Sequence, residues 1–219
     1  MTNYFKAIRH FSDDNRADII NLSFGFPKFH ERLRPILTAI RAAREKNVVI
    51  FAAAGNEGGN QGISWPAKLY ETGDVVCVNA SDSEGNASCF NPTAGSENRI
   101  CTLGEAVPSC QLDEKGKIIY RSGTSFSTPI AVAIAAIVLG FVNQVSERES
   151  EGNVPKDFAE LKRKIHTRYG IERILHRTCV LSEEKRRVGF SYITPWFFLN
   201  IEEKSRVHII ANDLRSIPE

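Results

Sequence analysis

The sequence predicts an α/β fold of three layers, in which a mostly parallel sheet has helices on both faces. Three short apolar runs rich in β-branched residues cover 18–23, 47–54 and 75–80. Each run is apolar at consecutive positions, which is typical of a strand buried on both faces of a parallel sheet. An amphipathic segment over 32–46 connects the first two runs, so strand, helix and strand form a βαβ unit.

The helix predicted over 32–46 has its apolar residues at three- and four-residue spacing. These residues are Leu33, Ile36, Leu37, Ile40 and Ala43. Pro35 fits the first turn, where a missing N–H costs nothing, and the last turn carries Arg and Lys. Segments rich in Gly, Asn and Pro follow, and they predict loops over 55–68 and 82–97.

The later part of the chain predicts a long buried helix and a more polar tail. The apolar run Ile130–Val142 has thirteen residues, whereas a membrane span needs about 18, so we interpret it as a core helix and expect no membrane. The remaining predictions are short strands over 100–103 and 117–121, a polar connector over 143–156, a helix over 158–169 and a strand-like aromatic segment over 188–201 that Pro195 interrupts.

Composition and charge exclude several classes of protein. The chain has 219 residues, of which 42% are hydrophobic and 25% charged, as in an ordinary globular protein. A formal net charge of +2 is too small to indicate nucleic acid or an anionic membrane as a partner. The basic runs 162–164 and 185–187 stand near glutamates, so we interpret them as solvated faces. The first six residues lack the apolar core of a secretory signal.

The five cysteines have no C-x-x-C spacing. This usage predicts free thiols and an intracellular location, rather than a disulfide framework or a zinc site. Pairing of Cys101 with Cys110 in an oxidising setting stays open as an alternative. No cluster of carboxylates suggests a calcium site, and we expect neither a metal nor a cofactor.

The strongest chemical feature is the octet Ser122–Pro129, which leads directly into the predicted buried helix. Backbone N–H groups are unpaired at a helix N-terminus and the dipole is positive there, so negative charge that develops beside Ser125 is stabilised. Gly123 permits a close approach of backbone to substrate, and Pro129 is tolerated in the first turn. The alternative is that one of the serines only caps the helix.

Gly123–Pro129 resembles the G-T-S-x-[AS]-[ST]-P motif of the subtilisin-like serine peptidases. The resemblance implies the subtilisin-like version of the α/β fold and makes Ser125 the catalytic nucleophile. A second match is A-x-G-N, here Ala53–Asn56 at the carboxyl end of a predicted strand. In that family the asparagine donates to the oxyanion, so Asn56 is the predicted oxyanion-hole residue. The alternative for Asn56 alone is a turn residue beside glycine.

Three further segments match the family in order and imply substrate-binding residues. Ile20–Gly25 resembles the I-N-x-S-x-G strand, which implies that Ser23, Phe24 and Gly25 bind an extended peptide as an added strand. Ala53, Ala54 and Gly55 correspond to one wall of the P1 pocket, and Ser64 begins the segment at the pocket base, where the family often has a cis proline.

Two of the three triad motifs of the family are missing. D-[ST]-G and H-G-T precede the I-N-x-S-x-G strand in subtilisins, and this chain contains neither before Ile20. We interpret its five histidines as surface or structural residues. We therefore expect an N-terminally incomplete domain in which Met1 falls within a helix and a sheet edge is exposed.

The sequence thus predicts a partial subtilisin-like peptidase domain over 1–145 and an extension over 146–219 that completes or flanks it. The expected function is serine endopeptidase chemistry on peptide or protein substrates, with this chain inactive alone. One alternative is a non-catalytic remnant that binds peptides or a partner chain. Another is a nucleotide-binding domain with Gly55–Gly59 as a phosphate loop, which lacks both phosphate-binding motifs. The sequence carries no signal for an oligomeric state.

Overall fold

The computed structural model describes residues 2–14, 16–59, 61–93, 99–148, 154–180 and 189–218. The helices are α1 (Thr2–Asp13), α2 (Arg34–Glu45), α3 (Thr124–Glu147), α4 (Phe158–Ile165), α5 (Arg168–Thr178), α6 (Pro195–Asn200) and α7 (Glu203–Arg215). The strands are β1 (Ile19–Leu22), β2 (Val49–Ala53), β3 (Val76–Ser81), β4 (Arg99–Leu103), β5 (Val107–Leu112), β6 (Ile118–Arg121) and β7 (Phe190–Tyr192). Short 3-10 helices cover Glu31–Leu33 and Ala67–Thr72.

Five of the strands form one parallel sheet in the order β1-β2-β3-β4-β7. Ile19 of β1 pairs with Val49 of β2, and Phe51 of β2 pairs with Val76 of β3. The strands predicted near 18–23, 47–54 and 75–80 are confirmed as β1, β2 and β3. Within the described part of the chain, β1 has β2 as its one strand neighbour, so its other edge is open.

Helices cover both faces of this sheet, which confirms the three-layer α/β fold. On one face α2 buries residues such as Ile36 and Ile40 against alternate positions of β1 and β2. On the other face α3 buries Ala131, Val138 and Val142 against the remaining positions. Because side chains alternate along a strand, Phe51 packs on the α3 face of the sheet and its neighbour Ile50 on the α2 face.

The predicted core helix is longer than its apolar run. α3 has 24 residues, and by length and composition alone it could cross a membrane, with a mean hydropathy of 2.1 in its most apolar window. Half of that window is buried inside the protein, where α3 packs across β1, β2, β3 and β4. Such burial is what a core helix requires.

Several boundaries in the tail differ from the sequence prediction. The expected connector over 143–156 is helical as far as Glu147, and 149–153 lie outside the described residues. The helix predicted over 158–169 is two helices, because Thr167 accepts a hydrogen bond from the N–H of Gly170 and starts α5 there. A β carbon at Gly170 would overlap the carbonyl of Lys164, so the two helices cross where only glycine fits.

The aromatic segment predicted over 188–201 is a strand only as far as Tyr192. Pro195 begins α6, since a proline at the first helical position has the required φ and needs no N–H acceptor. Residue 188 lies outside the described residues. The strand β5 was not predicted at all, because its sequence is partly polar and contains Pro108; it pairs antiparallel with β6 as a separate ribbon.

The helices α4, α5 and α7 share one continuous core with α3. Phe158, Ile171 and Ile210 are each at most 1% exposed within that core. The domain boundary at residue 145 stays a prediction. The helices that follow this boundary pack against α3, the helix whose first turn contains the predicted nucleophile.

Candidate active site

Three segments of the chain meet at the carboxyl edge of the sheet. β1 leads into Ser23, β2 leads into Asn56, and α3 begins with Thr124 at the same edge. Ligand sites of open α/β sheets form at this edge, because the strand ends and helix N-termini converge there. The structure therefore brings together the predicted nucleophile, oxyanion donor and substrate strand.

Asn56 is held in place by Thr124. Its Oδ1 accepts from the backbone N–H of Thr124 at 2.8 Å and from Thr124 Oγ1 at 3.1 Å. Thr124 Oγ1 also accepts from the N–H of Gly55 at 3.1 Å. Because the amide oxygen is occupied, the Nδ2 group is the part of Asn56 left to donate to a ligand. The side chain of Thr124 is fully buried, so this arrangement is fixed by packing.

Ser125 is the second residue of α3 and is half-buried. In the described part of the chain its N–H has no hydrogen-bond acceptor, as expected in the first turn of a helix. Gly123 has φ +149°, and a β carbon on it would lie 3.2 Å from Asn56 Nδ2. The Ser125 N–H and Asn56 Nδ2 thus flank a glycine at the positive end of α3, where donors can stabilise an oxyanion.

Ser23 ties the end of β1 to the predicted nucleophile. Its hydroxyl donates to the backbone carbonyl of Ser125 at 3.0 Å and lies 3.1 Å from Asn21 Oδ1. The hydroxyl of Ser23 is therefore used in hydrogen bonds within the protein, and the backbone of Ser23 is the part available to bind a substrate. Phe24 is half-buried, with its ring centroid 4.4 Å from that of Tyr4 on α1.

The predicted P1 walls are formed by backbone rather than by side chains. Ala53 and Ala54 are 4% and 0% exposed, and Ala54 packs into the core on the α2 face of the sheet, so the main chain is the part of both residues that can border a substrate. Gly25 and Gly55 both face Ser64, which places Ser64, the predicted floor of the P1 pocket, between the two walls. The peptide bond between Trp65 and Pro66 is cis, as the resemblance implies for this segment.

The histidine on α1, His10, lies away from this edge of the sheet. His10 Nδ1 is 2.9 Å from Asp14 Oδ2 on α1, but the neighbouring Asp13 binds Lys46 Nζ at 2.7 Å just before β2 begins. That pair is therefore at the amino end of the strands, opposite the site. Among the residues that the structure describes, no histidine is hydrogen-bonded to Ser125.

Thr124 is the functional residue that sequence reasoning missed. It stands inside the matched motif, yet its hydroxyl was given no role because its partners, Gly55 and Asn56, are 68 or more positions away in sequence. A buried threonine at the first position of a helix, directly before a nucleophile, is the signal that could have indicated an anchor.

The chain is similar to known proteases over most of its length. The model of the subtilase family matches residues 1–185. The chain is 30% identical over 146 residues to the subtilisin-like protease het-Q2 of Podospora anserina, which covers 65% of this chain and 39% of that protein. It is 34% identical over 128 residues to subtilisin E of Bacillus subtilis, which covers 57% and 31%. The chain thus spans about two fifths or less of the length of these relatives.

Solved structures show the same fold at lower identity. The prenylagaramide maturation protease PagA has a TM-score of 0.61 at 23% identity, over 93% of this chain and 66% of that chain. The PatG macrocyclase in complex with peptide has a TM-score of 0.60 at 19% identity, over 90% and 55%. The family match over residues 1–185 and the parallel α/β sheet agree, and this chain belongs to the subtilase family of subtilisin-like serine peptidases.

Proposed function

We propose that this chain provides the nucleophile and oxyanion hole of a serine endopeptidase that hydrolyses peptide bonds through an acyl-enzyme on Ser125. The observation that carries the proposal is the pair of hydrogen bonds from Thr124 to Asn56 Oδ1. This pair turns the Nδ2 group of Asn56 into the second donor beside the N–H of Ser125. Donors fixed in this way stabilise the tetrahedral intermediate without reorganisation.

The substrate is an extended peptide that lies along Ser23–Gly25. The backbone there continues the open edge of β1, so its N–H and C=O groups can pair with an added strand. The PatG macrocyclase was solved in complex with a peptide, which supports a ligand of this kind.

The general base and its orienting aspartate come from residues other than those of this site. The serine hydroxyl is a weak nucleophile until a base takes its proton, and a positioned base contributes about 10²–10⁴-fold. We therefore expect the isolated chain to be almost inactive, with the half-site formed but not activated.

We also propose an intracellular setting. All five cysteines are free, and Cys77, Cys101 and Cys179 are buried as thiols. Cys101 is buried whereas Cys110 is exposed on the ribbon, and the two are not paired. Free thiols are typical of a reducing compartment.

The proposal is tested by labelling the purified 219-residue protein with a fluorophosphonate, with and without imidazole as an external base. We expect little labelling alone and an increase with imidazole that Ser125→Ala abolishes. Asn56→Ala lowers the imidazole-dependent rate by about 10²–10³-fold, the effect known for the corresponding asparagine of subtilisin. Ser216→Ala, at an exposed serine of the tail, is the control and leaves the rate unchanged.

Two results would contradict the proposal. Strong labelling of Ser125 without imidazole shows that a base is present within the chain. Labelling that occurs at other serines but never at Ser125, at any imidazole concentration, favours the non-catalytic remnant that binds peptides.

A further inference from the structure

A closed series of contacts surrounds the space beside the predicted nucleophile. Ser125 is bound by Ser23, and two residues further along Gly25 faces Ser64. Ser64 in turn faces Gly55, whose N–H donates to Thr124, the residue before the nucleophile. The space inside this series is the slot that a substrate side chain must enter next to the scissile carbonyl.

Ser64 fills the rear of this slot. A β carbon on Gly25 would lie 2.9 Å from Ser64 Cβ, and one on Gly55 would lie 3.2 Å from Ser64 Cβ and overlap Ser64 Oγ. Both glycine walls therefore already touch the serine side chain. Atoms of a protein interior do not approach more closely than about 3.5–4.0 Å between carbons without repulsion, so no further side-chain volume fits between the walls at that depth.

Backbone hydrogen bonds on both sides prevent Ser64 from moving away. Its N–H donates to the carbonyl of Ala54 at 2.8 Å, which ties it to the end of β2. The next residue, Trp65, exchanges hydrogen bonds of 2.7 and 2.8 Å with Phe26. Trp65 is only 4% exposed, and its ring contacts Phe26 and Phe29. Withdrawal of Ser64 requires these bonds and this packing to break.

We infer that Ser64 restricts the P1 position of the substrate to small side chains, namely those of glycine, alanine and serine. This inference rests on the proposed function, since it concerns the same peptide site. The Ser64 side chain lies against both Gly25 and Gly55, and because Ser64 is only half-buried a substrate can reach it. A methyl group stops against Ser64, whereas a phenyl ring needs the volume that Ser64 occupies, and such overpacking is unfavourable.

The test uses two tetrapeptide boronic acids that are identical except for alanine or phenylalanine at the boron-bearing residue. The Oγ of Ser125 bonds to boron, and the hydroxyl proton passes to the buffer, so binding requires no leaving group. Affinity is measured by the fluorescence of Trp65 and Trp196. We expect the alanine compound to bind wild type at least 10-fold more tightly than the phenylalanine compound, and Ser64→Gly to remove that difference by a gain in phenylalanine affinity.

The possible failures are distinguishable. Equal affinities of wild type for both compounds overturn the inference about Ser64 and leave the proposed function intact. Binding of neither compound in the presence of imidazole, the external base of the labelling experiment, overturns the proposed function of Ser125. The wild-type comparison stands by itself if Ser64→Gly does not fold, and Ser64→Thr gives a second test, because one added methyl group lowers the alanine affinity.

Discussion

The anchoring of Asn56 by Thr124 leads to a prediction that needs no catalytic activity. Thr124→Val replaces a hydroxyl by a methyl group of similar size at a position with no exposed surface. The N–H of Gly55 then loses its acceptor, and Asn56 Oδ1 keeps only the bond from the backbone of residue 124. The substitution therefore leaves a half-buried donor without a partner.

The expected cost follows from the orphaned group. A buried donor that loses its acceptor costs about 1–3 kcal/mol, and we expect the free energy of unfolding to fall by about 2 kcal/mol. Total stabilities of domains are only about 5–15 kcal/mol, so the change is large enough to measure. The same loss leaves Asn56 Oδ1 with one hydrogen bond instead of two, which loosens the oxyanion donor.

Thr128→Val is the matched control. Thr128 is equally buried and one turn further along α3, and its hydroxyl donates to the carbonyl of Thr124 at 2.6 Å. That carbonyl also accepts from Ser127 Oγ at 3.0 Å, so the substitution orphans no group. We expect Thr128→Val to cost less than about 1 kcal/mol.

Urea unfolding followed by circular dichroism measures both variants, and the side-chain amide resonances of Asn56 in a ¹⁵N-correlation spectrum report its position. Only Thr124→Val is expected to move those resonances. Equal losses of stability in the two variants, or unchanged Asn56 resonances in Thr124→Val, refute the reasoning.

Two further predictions concern protonation. Burial lowers the pKa of His166 below 6.5, against an opposing attraction from Asp18. The folded state therefore binds this proton less readily than the unfolded state, so stability is lost as pH falls from about 6.5 through the lowered pKa. His166→Asn removes that part of the pH dependence in urea titrations between about pH 5 and 8, and an unchanged slope contradicts the assignment. In the native protein Ellman's reagent titrates two thiols, the exposed Cys89 and Cys110. The other three react only after unfolding, because burial raises the pKa of their thiols to about 12, 12 and 11 in Cys77, Cys101 and Cys179; five reactive thiols at neutral pH contradict that burial.

The central sheet was predictable because its sequence signal is strong and local. Strands buried on both faces must be apolar at every position, as β2 is over Val49–Ala53, and α2 shows its buried face directly in its spacing. The ribbon strand β5 was not predictable in this way. Both faces of a two-stranded ribbon can be solvated, so Val107–Leu112 needs no apolar period.

The tail was predicted less well because its boundaries depend on tertiary contacts. The break between α4 and α5 is fixed by Gly170 against the carbonyl of Lys164, and nothing in the local sequence shows that contact. Pro195 interrupts the aromatic segment, and a proline is equally compatible with the first position of a helix. There the packing of Phe198 against Phe141 favours α6.

For the site, motif order indicated which residues meet, and the structure shows how they are held. The sequence placed Asn56 and Ser125 together only through a resemblance, since they lie far apart in the chain. The bonds through Thr124 supply the physical reason. At Ala53 and Ala54 it is the backbone that can border a substrate, because in a strand covered on both faces the side chains are buried in the protein interior.

These contacts also bear on how a base can reach the nucleophile. The bonds that position Ser125, Asn56 and Ser23 all arise from β1, β2 and α3, so the half-site is complete without a histidine. The open edge of β1 continues directly into Ser23, and a segment that paired with β1 would end close to Ser125. Asn56 is held by Thr124 of α3, so a segment that pairs with the open edge of β1 competes for none of the hydrogen bonds that fix the oxyanion donor.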